Sequence, residues 1–586
     1  MHLGEQANLE PSPPRGRGKT YNQSVKMRLR GRAAATAFLL PDTERTPFSR
    51  RAEGGSCGYR TPRRSALSCW LILLCLVSWC LGGSCSLRAQ TAEAVTIDAQ
   101  APAHPYPHFW ERMFGSGRAI LSLRESYRDD LRAVKKATDF GYIRFHGILN
   151  DEVGLYEATP GAKPVYNFSY VDQIYDGLLA NGIRPFVEIS FMPQALASTS
   201  QQQAFWYHPF VSPPKDRNLW QDLIRSFARH LVARYGLEEV SQWYFEVWNE
   251  PNIDFWVGVP KQQTYFTLYD STARALKSES PRLRVGGPAT AQAAWISEFI
   301  RHCVENDVPV DFVSTHVYAN DTAEDVFGSH EQISRQAMVI RAVKKVHDQV
   351  SASPRPSLPI IFSEYNASYK NETDVTDSAF MGPWLAYTLS RCDGFLDILA
   401  YWDFSDVFEE QGVVKRPFYG GYGLMAAGNI PKAAYNAFAL LHRLGTERVA
   451  VDSDSVLATR RVDGALVIAA WNYAPPEESR PCTSAPPSQS PGCDSDAQSR
   501  LLTLSLQGLG ARRHAVIFRE DDQHGSALSA WKAMGSPDFP SREQQALLRE
   551  AGRLPPPEIR ELPARDPAPL RVGLPPHGLV LIEIGP

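Results

Sequence analysis

The sequence predicts an α/β protein: a (β/α)8, or TIM, barrel followed by a β-sandwich that takes in an N-terminal strand. Three observations point there. From about residue 108 to 446, short apolar runs alternate with helical patterns, eight runs in all, the rhythm of a parallel sheet closed by crossover helices. After Gly445 the runs become strand-like only, separated by Pro, Gly and Asp clusters, as in an all-β sandwich. No Gly-x-Gly-x-x-Gly follows the first run, and Gly115-Ser116-Gly117-Arg118 is too short for a dinucleotide loop, which argues against an open doubly wound sheet.

Residues 1–64 carry 13 Lys/Arg against 5 Asp/Glu and lack periodicity, the composition of a disordered basic leader. The whole chain is at -3, so the remainder is acidic, which argues against nucleic acid as a partner. Residues 65–89 read as a signal peptide or signal-anchor. The stretch 66–86 is uncharged, strongly apolar, long enough to span a bilayer and preceded by Arg63-Arg64. That basic flank keeps the N-terminus cytoplasmic and places the rest outside. Export, to the periplasm or medium, is expected, with cleavage near Ala89 or a membrane anchor through this segment alone.

Residues 90–107 include a strand-like run at 92–99 expected to join the sandwich. In the barrel, 108–446, strands are expected at 112–115, 142–145, 185–190, 244–248, 284–286, 312–315, 360–363 and 398–402. Between them Leu219, Trp220, Leu223, Ile224, Phe227 and Leu231 recur three and four apart and stop at Gly236, a helix with a C-terminal breaker. In 447–586, strands are expected at 456–460, 465–471, 501–506, 515–518 and 578–584. A Pro/Ser loop covers 475–499, and 526–553 reads as helical or irregular. Of 9 cysteines, Cys303 and Cys392 sit on helical patterns as buried thiols, while Cys482 and Cys493 flank the Pro/Ser loop and could form a disulfide in an exported protein. No zinc spacing and no His-Glu-x-x-His occur, so neither metal nor cofactor is expected.

Two strands end in carboxylates. The run Trp243-Tyr244-Phe245-Glu246-Val247-Trp248 closes in Asn249-Glu250-Pro251, and Pro359-Ile360-Ile361-Phe362-Ser363 closes in Glu364. They are strands four and seven, at the rim where barrels keep their chemistry. Either glutamate alone reads more readily as a solvated or salt-bridged loop residue. As a pair facing across a barrel mouth, one neutral and one ionised, they can act as proton donor and nucleophile at a glycosidic bond.

These motifs carry a resemblance. Phe245-Glu246-Val247-Trp248-Asn249-Glu250-Pro251-Asn252 closely resembles the signature of glycoside hydrolase family 39, the β-xylosidase and α-L-iduronidase family. So, in order, do Gly115–Ala119, Tyr142–Gly147, Phe191–Ala197, Thr315–Tyr318, Tyr401–Glu410, His524-Gly525 and Trp531–Pro537, so that coverage runs from about residue 100 to the end. The resemblance implies a retaining glycosidase acting on a carbohydrate. Glu250 would be the general acid and then base, Glu364 the nucleophile, and Asn249 a donor to the sugar 2-hydroxyl. Arg144 would keep Glu364 ionised; His146, His316 and Tyr318 would line the pocket, and Phe191 would be an apolar wall. Trp402 would be the platform under the sugar, and Glu409 and Glu410 would grip distant hydroxyls. Ser363-Glu364-Tyr365-Asn366-Ala367-Ser368-Tyr369 resembles the β-xylosidase branch, and a uronic acid would need a cation that Glu409 and Glu410 do not supply. A neutral sugar, xylose first, is therefore expected. Alternatives are another specificity of the family, α-L-iduronidase-like or β-glucosidase-like, and a non-catalytic carbohydrate-binding protein. The stretch Gly147-Ile148-Leu149-Asn150 departs from the pattern. Asn167, Asn320, Asn366 and Asn371 stand in Asn-x-Ser/Thr sequons; a glycan on Asn366 would be incompatible with an open pocket.

Overall fold

The computed structural model describes residues 91–158, 161, 163–476, 498–512 and 514–585. The expected leader, the export segment and the Cys482–Cys493 pair lie outside the described residues. Eight strands, Met113–Arg118, Tyr142–His146, Arg184–Ile189, Tyr244–Val247, Arg284–Thr290, Phe312–Tyr318, Ile360–Asn366 and Ile398–Tyr401, form a closed parallel barrel in chain order. Every expected barrel strand is present. The helix Arg217–Tyr235 shows how the crossovers form: Asp216 caps it by accepting from the Asn218 and Leu219 amides, and Trp220, Leu223, Ile224, Phe227 and Leu231 are buried along it. Gly236, at φ 83°, ends it in a conformation only glycine adopts freely.

The barrel interior is layered. Side chains alternate along a strand, so Tyr142, Arg144 and His146 share one face of strand two. Phe186 and Glu188 do so on strand three, and Tyr244 and Glu246 on strand four. Met113, Phe186, Tyr244, Phe312, Ile361 and Ile398 pack together as an apolar plug. One step toward the C-terminal rim, polar residues converge instead. The plug closes the barrel from below, and the chemistry above it sits on rigid strands.

The sandwich holds a three-stranded sheet, ordered Thr91–Asp98, Arg500–Gln507, Ala568–Leu574. It also holds a seven-stranded one, ordered Ala103–Pro105, Glu447–Val449, Val456–Arg460, Leu466–Trp471, Leu579–Ile584, His514–Glu520, Glu558–Glu561. Val95, Ile97, Ile468, Leu504, Val572 and Ile582 are among its core residues. Thr91–Asp98 pairs in parallel with Arg500–Gln507, so the N-terminal run joins the sandwich as expected. Four of these strands, Ala103–Pro105, Glu447–Val449, Glu558–Glu561 and Ala568–Leu574, are not predicted by pattern. The last carries Pro569 and Gly573, which disguise it, yet it lies at a sheet edge, where proline removes no needed donor. Region 526–553 resolves into helices Ala527–Ala533 and Arg542–Ala551, started by Ser526 and by a Ser541/Gln544 capping box. Cys303 and Cys392 are buried free thiols. Among the described residues no helix is long and apolar enough to cross a membrane.

Candidate active site

The layer above the plug is organised by Arg144, which is fully buried. It donates to Glu246 Oε2 at 2.6 Å, to Glu364 Oε1 at 2.6 Å and to Asn249 Oδ1 at 3.0 Å, and lies 2.8 Å from Glu188 Oε2. One guanidinium fork thus fixes residues from strands three, four and seven. Because arginine only donates, Asn249 turns its oxygen to Arg144 and its NH2 toward the pocket. Burial opposes charge on Glu188, but Arg144 and His146 outweigh it and hold that carboxyl below its usual range.

Above this layer the two predicted carboxylates meet. The backbone turns sharply after strand four, with Trp248 at φ 75° and Glu250 at φ 44°, left-handed conformations that non-glycine residues keep only where the surroundings enforce them. Here the Glu250 amide donates to Ala289 O at 2.8 Å. One oxygen each of Glu250 and Glu364, with a nitrogen of His316, lie within 4.8 Å of one another. The two glutamates differ in their partners. Glu364 accepts from Arg144 on Oε1 and from the Tyr318 hydroxyl on Oε2 at 2.7 Å. Among the described residues Glu250 has only His316 Nδ1 as a side-chain partner, at 3.0 Å. Burial, then the charge of Glu364, pushes the Glu250 carboxyl well above its normal range. Burial raises Glu364 too, but Arg144, His146 and the Tyr318 hydrogen bond favour its ionised form. The shared proton therefore rests on Glu250. Burial, with Arg144 and His146 nearby, pushes His316 well below its usual value, so it is neutral.

A cavity of about 400 Å³ opens over the pair, lined among others by His146, Asn249, Tyr318, Trp402 and Glu410. Trp402 lies flat because Gly115 faces it: a Cβ at 115 would run into the indole. His146 sits 4.7 Å from the Trp402 ring, and its Nδ1 is 2.7 Å from Glu188 Oε2, which aims Nε2 at Glu410, 3.5 Å away. Burial, with Glu364 next, pushes Glu410 well above the carboxylate range, making it a neutral group able to donate to a hydroxyl.

Three expected residues need correction. Glu409 is not a pocket group: it is clamped by Arg124, at 2.5 and 3.0 Å, and by Arg118, at 3.3 Å, so its carboxylate is spent on anchoring the loop. Phe191 lies behind the wall, stacked on Phe255 at 5.9 Å and edge-on to Trp248 at 5.5 Å. His316 supports the carboxylate pair from beneath and does not line the cavity. The sequon residue Asn366 is wholly buried and donates to Trp402 O at 2.5 Å, a position no glycan can occupy. Residues that sequence reasoning missed include Glu188 and Glu246, each signalled by an acid inside an apolar strand, Gln292 and Asp321 on loops, which no pattern marks, and Tyr369, which closes the Ser363–Tyr369 motif but is given no role by it.

Two clusters among the described residues bring three potential metal ligands together, Glu250–His316–Glu364 and His108–Glu111–His442. In the second, His108 Nδ1 is 2.6 Å and His442 Nδ1 3.0 Å from Glu111 Oε1, the spacing of a hydrogen-bonded bridge.

A barrel with two buried carboxylates of unequal proton affinity at its C-terminal rim, beneath a pocket of sugar-sized aromatic and amide groups, defines an O-glycosyl hydrolase. The match to the family model of glycosyl hydrolases family 39 covers residues 93–564, and the chain belongs to that family. It is 40% identical over 452 residues to a β-xylosidase of Geobacillus stearothermophilus, covering 75% of this chain and 86% of that one. It is 24% identical over 551 residues to the mouse α-L-iduronidase, covering 85% and 81%. Among solved structures, it matches a monomeric β-xylosidase of Caulobacter crescentus CB15 with a TM-score of 0.74 and 34% identity, covering 84% and 99% of the two chains. A family 39 enzyme of Xanthomonas axonopodis pv. citri gives 0.75 and 32%, covering 86% and 100%.

Proposed function

We propose that this enzyme is a retaining, exo-acting β-xylosidase. The observation that carries retention is the approach of the Glu250 and Glu364 oxygens to within 4.8 Å. Carboxyls about 5–5.5 Å apart leave room for direct attack on the anomeric carbon, whereas inversion needs about 6.5–9.5 Å to seat a water. Glu364, held ionised from both oxygens, attacks the anomeric carbon while Glu250 delivers its proton to the departing oxygen. The covalent glycosyl-enzyme is then hydrolysed by a water that Glu250, now ionised, deprotonates. Asn249 NH2 and Glu410 address the sugar hydroxyls, and Trp402 carries the ring's apolar face.

A neutral sugar is favoured because, among the described residues, no lysine or arginine lines the cavity; Arg144 is used up beneath it. Exo action is favoured because the loop after strand three meets the loop after strand eight, Trp206 N donating to Glu410 O at 2.8 Å, and so blocks the mouth on that side. The 40% identical relative is a β-xylosidase. Export, through the apolar segment 66–86, is part of the proposal and is tested by N-terminal sequencing of protein recovered outside the cytoplasm. The catalytic reading is tested on a panel of aryl β-xylosides, β-glucosides and α-L-iduronides, beside Glu364→Ala with azide. Azide rescue giving a glycosyl azide of inverted anomeric configuration supports it. Full activity of Glu364→Ala, or hydrolysis of the iduronide alone, overturns it.

A further inference from the structure

The His108–Glu111–His442 cluster takes no part in the catalytic layer and lies at the other end of the barrel. His108 and Glu111 come just ahead of Met113–Arg118, the first barrel strand, whereas Glu250 and Glu364 belong to the face where strands end. His442 directly follows the helix Ala433–Leu441, the last helix before the sandwich strand Glu447–Val449. On the other side of the cluster that strand pairs with Ala103–Pro105, and Tyr106 N donates to Thr446 O at 2.7 Å. The chain thus enters the barrel through His108 and Glu111 and leaves it through His442, 331 residues beyond Glu111, with the two crossings side by side.

Three donor atoms converge at these crossings. His108 Nδ1 is 2.6 Å from Glu111 Oε1, and His442 Nδ1 is 3.0 Å from both Glu111 oxygens. The three ligand atoms lie within 4.8 Å of one another. Zinc bonds of about 2.0–2.2 Å in a tetrahedron place ligand atoms about 3.4 Å apart, so the histidine–glutamate separations need open by less than about 1 Å. In the hydrogen-bonded bridge two imidazole N–H groups share one carboxylate; a divalent cation takes the place of those hydrogens, which move to Nε2.

The surroundings favour that exchange. His108 is held by stacking on Trp110 at 4.5 Å, and its Nε2 is buried with no hydrogen-bond partner among the described residues. Its one engaged ring nitrogen therefore faces the cluster. The Glu111 side chain is 8% exposed, but that of His442 is 39% exposed, which gives an ion a way in and leaves its fourth position to water. Two imidazole nitrogens and a single carboxylate oxygen suit zinc, and not calcium or magnesium, which take oxygen ligands. Sequence spacing shows only His108-x-x-Glu111; the third ligand arrives when the barrel closes.

We infer that His108, Glu111 and His442 bind one zinc ion, which ties the segment entering the barrel to the segment leaving it and stiffens the junction with the sandwich. The site is structural, across the barrel from the catalytic pair.

The test is a calorimetric titration of untagged, chelator-treated full-length protein with zinc. One equivalent is expected to bind the wild type, and equally Glu364→Gln, which alters the other three-ligand cluster. His442→Gln, which keeps an amide donor for Glu111, should weaken binding by roughly a hundredfold or more, since losing a residue that merely supports a ligand costs about 10–100-fold. Cobalt in place of zinc should give the wild type the visible absorption of a four-coordinate ion, and the bands should vanish in His442→Gln and Glu111→Gln. Saturating zinc should raise the urea midpoint of the wild type and leave that of His442→Gln unmoved, and the midpoints without metal report that each variant is folded. No binding by the wild type, binding undiminished in folded His442→Gln and Glu111→Gln, or binding lost in Glu364→Gln alone each overturns the site.

Discussion

Tyr318→Phe removes one oxygen and little volume, and it separates the two glutamates cleanly. The Tyr318 hydroxyl donates to Glu364 Oε2 at 2.7 Å, leaving Arg144 as the other donor. A hydrogen bond to a charged group is worth about 1.5–3 kcal/mol, and one pKa unit corresponds to about 1.36 kcal/mol. Losing a donor to the ionised form favours the neutral one, so the pKa of Glu364 rises by about one to two units. The acid limb of the kcat/KM profile should move up in pH by that amount, while the alkaline limb, set by Glu250, moves less. In the second step Glu364 leaves as a carboxylate without that donor, so deglycosylation should slow by about 10- to 150-fold. An aryl xyloside with a good leaving group then shows a pre-steady-state burst with a depressed steady state. An unshifted acid limb with no burst would falsify the assignment of Glu364 as the ionised nucleophile.

Gly115→Ala should lift Trp402 from its seat, lowering kcat/KM at least about tenfold and stability by about 1–3 kcal/mol through overpacking; kinetics and urea unfolding read both, and a wild-type KM refutes the platform. Glu410→Gln should cost about ten- to a hundredfold in kcat/KM. Glu409→Gln should instead leave KM close to wild type and lower stability, because it loosens the Arg118 and Arg124 clamp. The reverse pattern would restore Glu409 as a sugar contact. Glu520 is fully buried and neither carboxyl oxygen has a partner among the described residues. Burial, then Asp521, pushes its carboxyl well above the normal range. The folded protein keeps a proton that the unfolded chain loses above about pH 4.3, so this group costs stability increasingly as pH rises from there. Glu520→Leu should be more stable than the wild type already near pH 4, by about 1–3 kcal/mol for the unpartnered carboxyl, and its advantage should widen as pH rises toward 8; an advantage that stays constant with pH refutes this.

The barrel was legible because each strand is an apolar run ended by a turn, and the carboxylate pair because each member closes such a run. What the pattern hid follows from alternation. Glu188 and Glu246 sit inside strands that read as apolar, and only the closed barrel shows that their alternate faces point at Arg144. Glu409 and Glu410 are neighbours with identical side chains, and the positive φ of Glu409, 66°, helps send them in different directions. Gln292, Asp321 and Tyr369 come from three loops, and only the closure of strands five, six and seven makes them neighbours. Ala568–Leu574 was obscured by its proline, which an edge strand tolerates and a central strand would not.

The pairing of Thr91–Asp98 with Arg500–Gln507 has a consequence for how the chain is assembled. The sandwich draws strands from both ends of the described polypeptide, with the whole barrel looped out between them. Its Leu579–Ile584 strand, interior in the seven-stranded sheet between Leu466–Trp471 and His514–Glu520, is the last of that sheet's strands in chain order. The barrel can therefore collapse while translation continues, whereas the seven-stranded sheet is not complete until Leu579–Ile584 has left the ribosome. The sandwich's first strand waits, unpaired, through the synthesis of roughly four hundred residues. A frameshift or nonsense codon before Leu579 would remove an interior strand of the seven-stranded sheet.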